Sequence, residues 1–256
     1  MELKNNVYVF NSAGALALAG ANIVLNAAKA AIKARDKFVI ALSGGNTPEQ
    51  LYSLLATPPF KNEMPWNKTF VFWGDERCEP ADSDENNSHS AKVLFLDKVN
   101  IPESNIYPVC VSLQPKKAAE VYANRIASFF RPSAMQFDLI LLGLGENGHT
   151  ASLFPNSNMV FKPEEIVKEV YVTELKKYRI TMTPALINQA RQILFLVEGE
   201  NKAGILNSVL TSDYQPDQFP AQLIKPVSGN LNWLTDQKAA TLLPFEYRAN
   251  CINVPV

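Results

Sequence analysis

Several features that would narrow the function on their own are scarce in this chain. Cysteine occurs three times in 256 residues, at Cys78, Cys110 and Cys251. An odd, widely scattered set without metal-ligand spacing argues against both a disulfide framework and a structural zinc. Neither sign of charge prevails, since 24 lysines and arginines face 25 aspartates and glutamates for a formal net charge of -1. Nothing here asks for nucleic acid or a membrane surface as partner. The opening Met1-Glu2-Leu3-Lys4-Asn5-Asn6 lacks the basic-then-apolar order of a secretory leader, and the apolar runs read as too short or too broken to span a bilayer. The expectation is a reducing, cytoplasmic setting.

What is present is an ordinary 47% of hydrophobic residues, enough for a sizeable core. The length fits one large α/β domain or two small ones. No repeat, low-complexity tract or linker divides the chain, so a single α/β domain over 1–256 is expected.

Short apolar runs recur, each ending in glycine or charge. Val7-Tyr8-Val9-Phe10 predicts a strand, with Ser12 capping an alanine-rich helix to about Arg35. Phe38-Val39-Ile40-Ala41-Leu42 predicts another, stopping at Ser43-Gly44-Gly45-Asn46-Thr47-Pro48, and Pro48 suits the first turn of a helix from Glu49 to about Leu55. Strand, glycine-rich loop and helix N terminus together favour an anion. A tight connection with a Ser/Thr cap fits the loop equally well, and it is no Walker loop, because no Gly-Lys-Ser/Thr follows.

Thr69 to Trp73 predicts a third strand, leading into a charged turn, Gly74-Asp75-Glu76-Arg77. Glu79 to Ser90 reads as a loop with His89 near its end, exposed or capping, followed by helices from Ala91 to Val99 and from Lys116 to Phe130. Phe137-Asp138-Leu139-Ile140-Leu141-Leu142 then runs into Gly143-Leu144-Gly145-Glu146-Asn147-Gly148-His149. Three glycines place backbone where side chains would block a ligand. His149 is one of only two histidines, and an imidazole beyond a strand end is a natural acid-base candidate. A glycine turn with His149 capping a helix is the competing reading. Later strands are expected at Glu169 to Val172, Tyr178 to Met182 and Gln192 to Val197, with a short helix from Pro184 to Arg191. Lys202 opens a helix from Ala203 to about Leu210, where it is either a point charge for phosphate or a solvated lysine. One last helix and one short strand fall between Phe219 and the end.

Leu42 to Pro48, Trp73 to Arg77, Gly143 to Pro155, Arg179-Ile180-Thr181-Met182-Thr183, Asn201-Lys202-Ala203 and Pro220-Ala221-Gln222-Leu223 stand in an order that resembles the 6-phosphogluconolactonase family. That family lies within the group that also holds glucosamine-6-phosphate isomerase/deaminase. The resemblance implies an NagB-like, Rossmann-type fold with a mostly parallel central sheet, and hydrolysis of 6-phospho-D-glucono-1,5-lactone without metal or cofactor. It implies a monomer or small homo-oligomer whose partner is the sugar-phosphate lactone. It places the 6-phosphate on Ser43, Gly44, Gly45 and Thr47 with Arg77 and Lys202, and Arg179, with Asp75 beside it, on the phosphate or the lactone end. His149 is the implied general base, with glycine N–H groups or an arginine at the oxyanion. The family usually has aspartate two residues before that histidine, where this chain has Asn147. An amino-sugar phosphate isomerase/deaminase using Asp75 or Glu76, and a non-catalytic sugar-phosphate sensor, are the alternatives.

Overall fold

The computed structural model describes residues 6–157 and 161–248 together with the backbone of Cys251 and Ile252. Residues 1–5 and the side chain of Cys251, both considered above, lie outside the described residues. The first half of the chain gives β1 (Asn6–Phe10), α1 (Ala13–Arg35), β2 (Phe38–Leu42), α2 (Asn46–Leu55), α3 (Phe60–Glu63), β3 (Thr69–Trp73), β4 (Asp75–Arg77), α4 (Asn87–Leu94) and α5 (Pro115–Phe130). The second gives β5 (Leu139–Gly143), β6 (Val167–Val172), β7 (Lys177–Met182), α6 (Pro184–Ile187), β8 (Gln192–Val197), α7 (Ala203–Thr211), β9 (Asn230–Asp236), α8 (Phe245–Arg248) and β10 (Cys251–Ile252).

Seven strands form one sheet in the order β10-β1-β9-β8-β5-β2-β3, and every neighbouring pair is parallel. Its central strands are apolar throughout because both faces are covered. Phe38, Ile40 and Leu42 of β2 face α1, α2 and α4, together with Leu139 and Leu141 of β5. Val39 and Ala41 point the other way, with Ile140, Leu142, Ile193 and Phe195, towards α5 and α7. This two-residue alternation places each methyl-rich side chain in one of two cores, where full burial stabilises by about 1.5–3 kcal/mol per large side chain.

By length and composition α1 could cross a membrane, against the expectation that no apolar run suffices. Here the helix is part of the core. Ser12 caps it by accepting from the Ala15 N–H, and its small residues let α2 approach so closely that a Cβ on Gly20 would lie 2.5 Å from Leu51.

From β2 the chain moves outward to the edge strand β3, and from β5 it moves the opposite way to β8. Loops leaving the carboxyl ends of β2 and β5 therefore part, and the crevice between them is where sheets of this kind take ligands. Two tyrosines fix the strand exits beside it. The Tyr52 hydroxyl accepts from the Ser43 N–H (3.1 Å) and donates to the Ser43 carbonyl (2.7 Å). From the other face, Tyr122 treats Trp73 the same way, at 2.8 and 2.9 Å.

A second, three-stranded antiparallel sheet, β4-β7-β6, was not foreseen. The expected charged turn at Asp75 to Arg77 is its strand β4. Other expectations also shift. His89 lies inside α4, which starts at Asn87 because Asn86 caps it, accepting from the His89 N–H. The helix at Pro184 stops at Ile187, since Asn188 turns its side chain to the Leu223 carbonyl and the Lys225 N–H. Pro220–Leu223 is a single 3-10 turn, and the last long strand, β9, has seven residues.

Candidate active site

Above the crevice lies a cleft of about 1040 Å³ lined from four directions. The β2 exit supplies Ser43, Gly44, Gly45 and the first turn of α2 with Asn46 and Thr47. No side chain caps this helix, and Gly45 at its N-cap has φ 96, in the region where glycine is unstrained. Helix and loop thus present a positive N terminus to the cleft. Gly44 must be glycine for a separate reason. A Cβ there would lie 1.8 Å from Oδ1 of Asn87, whose Nδ2 donates to the Asp75 carbonyl at 2.9 Å.

The β5 exit carries His149. The Gly145 N–H donates to the His149 carbonyl (2.8 Å) and the Gly148 N–H to the Gly145 carbonyl (3.0 Å), closing a tight loop with Gly148 at φ 85. A Cβ on Gly145 would meet the imidazole at 2.0 Å, so the ring lies directly over that backbone. Both of these glycine N–H groups are engaged within the loop. Asn147 Oδ1 lies 2.6 Å from His149 Nδ1 and also accepts from the His149 N–H at 3.3 Å. Accepting both identifies it as the oxygen of the carboxamide, so Nδ1 carries the imidazole proton and Nε2 its lone pair. Phe154 stacks on the ring with centroids 4.4 Å apart. Burial, and more weakly Arg179, Lys202 and Arg77, lower the His149 pKa to about 4 against the opposing pull of Asp75. The ring is neutral at physiological pH. The residues directly after His149 form a turn closed by a bridge between Thr150 and Leu153 rather than a helix, so the helix-capping reading does not describe it.

The small sheet brings the charges. Arg77 and Arg179 stand directly opposite each other on β4 and β7, a like-charge pairing that destabilises a sheet unless something negative joins it. Both Nε atoms are buried without a hydrogen-bond partner. Arg77 Nη1 donates to the Glu85 carbonyl at 2.7 Å, and Arg179 Nη1 lies 3.9 Å from Asp75 Oδ2. Asp75 Oδ2 accepts from Ser152 Oγ at 2.6 Å. Glu76 points away and accepts from the N–H groups of Arg77, Asn87 and Ser88 at 2.7–2.8 Å, capping α4. Burial pushes its carboxyl up to about 7, with those three donors opposing.

From β8 come Glu198, Gly199, Asn201 and Lys202. Lys202 ends a 3-10 turn before α7. Burial lowers its pKa and Glu146 raises it.

Three strand-exit loops, a neutral histidine and three cations meeting in one cleft are the arrangement to set against known proteins. Residues 11–233 match the family described as glucosamine-6-phosphate isomerases/6-phosphogluconolactonase. The chain belongs to this family. It is 44% identical to a 6-phosphogluconolactonase of Synechocystis sp. over 82% of this chain and 86% of that protein. With a 6-phosphogluconolactonase of Nostoc sp. it shares 35% identity over 94% and 99%. The solved 6-phosphogluconolactonase of Trypanosoma brucei superposes with a TM-score of 0.84 at 28% identity, covering 95% of this chain and all 100% of that one. A monomeric glucosamine-6-phosphate deaminase superposes at 0.78 with 21% identity, which is a likeness of fold.

Within this family's fold, every site residue expected from the sequence lines the cleft: Ser43, Gly44, Gly45, Thr47, Asp75, Arg77, Asn147, His149, Arg179 and Lys202. Sequence reasoning missed Asn87, Ser152, Phe154 and Asn201. Only Gly44 hinted at Asn87, since a glycine that must not carry a side chain implies something packed against it.

Proposed function

We propose that this protein hydrolyses 6-phospho-D-glucono-1,5-lactone to 6-phospho-D-gluconate, the lactone-opening step of the oxidative pentose phosphate pathway, with His149 as general base. The observation that carries this reading is the 2.6 Å contact between Asn147 Oδ1 and His149 Nδ1. It keeps the proton on Nδ1 and leaves the lone pair on Nε2, in a cleft also lined by Arg77, Arg179 and Lys202.

The phosphate is held by the Ser43 to Thr47 loop and the α2 N terminus, with Arg77 and Lys202 neutralising it. Nε2 takes a proton from water, and the hydroxide forming adds to C1. The tetrahedral oxyanion is met by Arg179. On collapse the C1–O5 bond breaks, and the imidazolium returns its proton to O5. Asp75 and Glu76 are poor bases for a deaminase in this setting. Glu76 is occupied by three N–H donors, and Asp75 accepts from Ser152 beside a guanidinium.

The test is hydrolysis of freshly generated lactone, with the spontaneous rate subtracted, in wild type and His149→Ala. A positioned acid-base group contributes roughly 10²–10⁴-fold, and the variant is expected to lose that factor. Wild-type protein no faster than background would sink the reading.

A further inference from the structure

The hydrogen bond between Asn201 Nδ2 and Glu146 Oε1, at 2.6 Å, joins two loops whose neighbouring residues have different tasks. Glu146 precedes Asn147, which aims His149; Asn201 precedes Lys202, the cation of the phosphate subsite. The loops leave adjacent parallel strands, β5 and β8, paired up to Gly143 opposite Leu196. Past that pair the strands' own hydrogen bonds cease, and the separation of the loops is no longer set by the sheet.

The Asn201 side chain is itself built into place. The Gly199 N–H is anchored on Asp236 Oδ1 at 3.1 Å, and Lys202 closes the turn by donating its N–H to the Gly199 carbonyl at 3.0 Å. Gly199 has φ 97, and a Cβ there would meet Asn201 Oδ1 at 2.7 Å. The missing side chain is what lets the carboxamide lie back over the turn, with its nitrogen facing Glu146. A contact between exposed side chains adds little to stability. Its position matters more, because it joins the loop that carries Lys202 to the loop that carries His149, both at the cleft.

We propose that Asn201 and Glu146 are positioning residues that fix the distance between the phosphate subsite and His149, and so select lactones by the span from phosphate to carbonyl. The inference rests on the functional reading above. Once the latch is released, phosphate still binds but the carbonyl is no longer held within reach of Nε2.

The experiment measures kcat and KM of wild type, Asn201→Ala, Glu146→Ala and Glu146→Gln on 6-phospho-D-glucono-1,5-lactone and on the shorter 5-phospho-D-ribono-1,4-lactone. Inhibition by inorganic phosphate is measured alongside. The two alanine variants are expected to lose roughly two- to fivefold in kcat on the longer lactone, to keep phosphate inhibition unchanged, and to discriminate less between the two lactones. Glu146→Gln keeps the acceptor oxygen without the charge and is expected to restore most of the rate. Equal loss in Glu146→Gln and Glu146→Ala would mean that the charge beside Lys202 matters, and would overturn the ruler. Unchanged kcat and selectivity in Asn201→Ala, with an active wild type, would overturn it too. An inactive wild type instead removes the functional reading beneath it.

Discussion

The two ends of the seven-stranded sheet both bury charge, and they treat it in opposite ways. At the end where β2, β5 and β8 begin, Asp138 Oδ1 accepts from Arg35 Nη2 and Nε at 2.7 and 3.2 Å, with Arg191 Nε 3.5 Å away. Its Oδ2 accepts from the Val39 N–H at 2.9 Å. Here each oxygen has its donor, and three strand starts are tied by one carboxylate. At the carboxyl end, two arginines face each other across β4 and β7 with both Nε atoms buried and unpartnered. An unmet buried donor is disfavoured by about 1–3 kcal/mol. A fold tolerates that where a ligand completes the set, so the satisfied end is scaffold and the unsatisfied end is site.

Substitutions at the two ends should separate stability from activity. The largest effect belongs to His149→Ala, already set at roughly 10²–10⁴-fold in kcat, with a melting temperature close to wild type. Next is Asp138→Ala, with the readouts reversed. Removing one member of a buried pair typically destabilises by about 3–5 kcal/mol, but Arg35 and Arg191 still reach water, with side chains 35% and 41% exposed. A loss of about 2–3 kcal/mol in denaturant unfolding is therefore expected, with kcat per folded molecule unchanged. Impaired catalysis at unchanged stability would erase the distinction between the ends.

Arg179→Met is the intermediate case. It relieves the repulsion with Arg77 and removes one unmet buried donor but also deprives Asp75 of a guanidinium, so ligand-free unfolding stability should hold or rise by about 1–2 kcal/mol. A charge-assisted hydrogen bond to the substrate is worth about 1.5–3 kcal/mol, so kcat/KM should fall roughly 10- to 150-fold. Inorganic phosphate should raise the melting temperature of wild type through linkage. A large destabilisation of the ligand-free variant would show that Arg179 is scaffold after all.

The sequence disclosed these ends unequally. Ser43 to Thr47 and Gly143 to His149 are contiguous runs after apolar strands, so local pattern nominated them, and the ordered set of family-like segments was needed to favour a site over a capped turn. Asp75-Glu76-Arg77 has no apolar alternation and read as a turn. It is a strand because Arg179, about a hundred residues on, pairs with it, and because Glu76 is buried by capping α4 rather than by being apolar. Asn87 and Ser152 reach the site only through such distant packing. Asp138 hid within a strand-like run, where a single acid gave no sign that two arginines from other elements would converge on it.

The smallest expected effect is the most specific to this chain, because it concerns Asn147, the position where the resemblance implies aspartate. Asn147 orients His149 through Oδ1, and a carboxylate in its place would keep that hydrogen bond while adding a negative charge. The charge favours imidazolium, which forms in the transition state, so Asn147→Asp should raise kcat a few-fold at neutral pH. The same charge raises the histidine pKa from its burial-depressed value of about 4 towards the ordinary value of about 6.5. A base is lost when it is protonated, so the acid limb of kcat/KM should move upward in pH. Wild type should stay active to lower pH than the variant, and their profiles should cross below neutrality. A lower or unchanged neutral rate would mean that this site needs aim and not charge at position 147, and that Asp75, the buried carboxylate whose charge acts on the ring, already supplies what imidazolium requires.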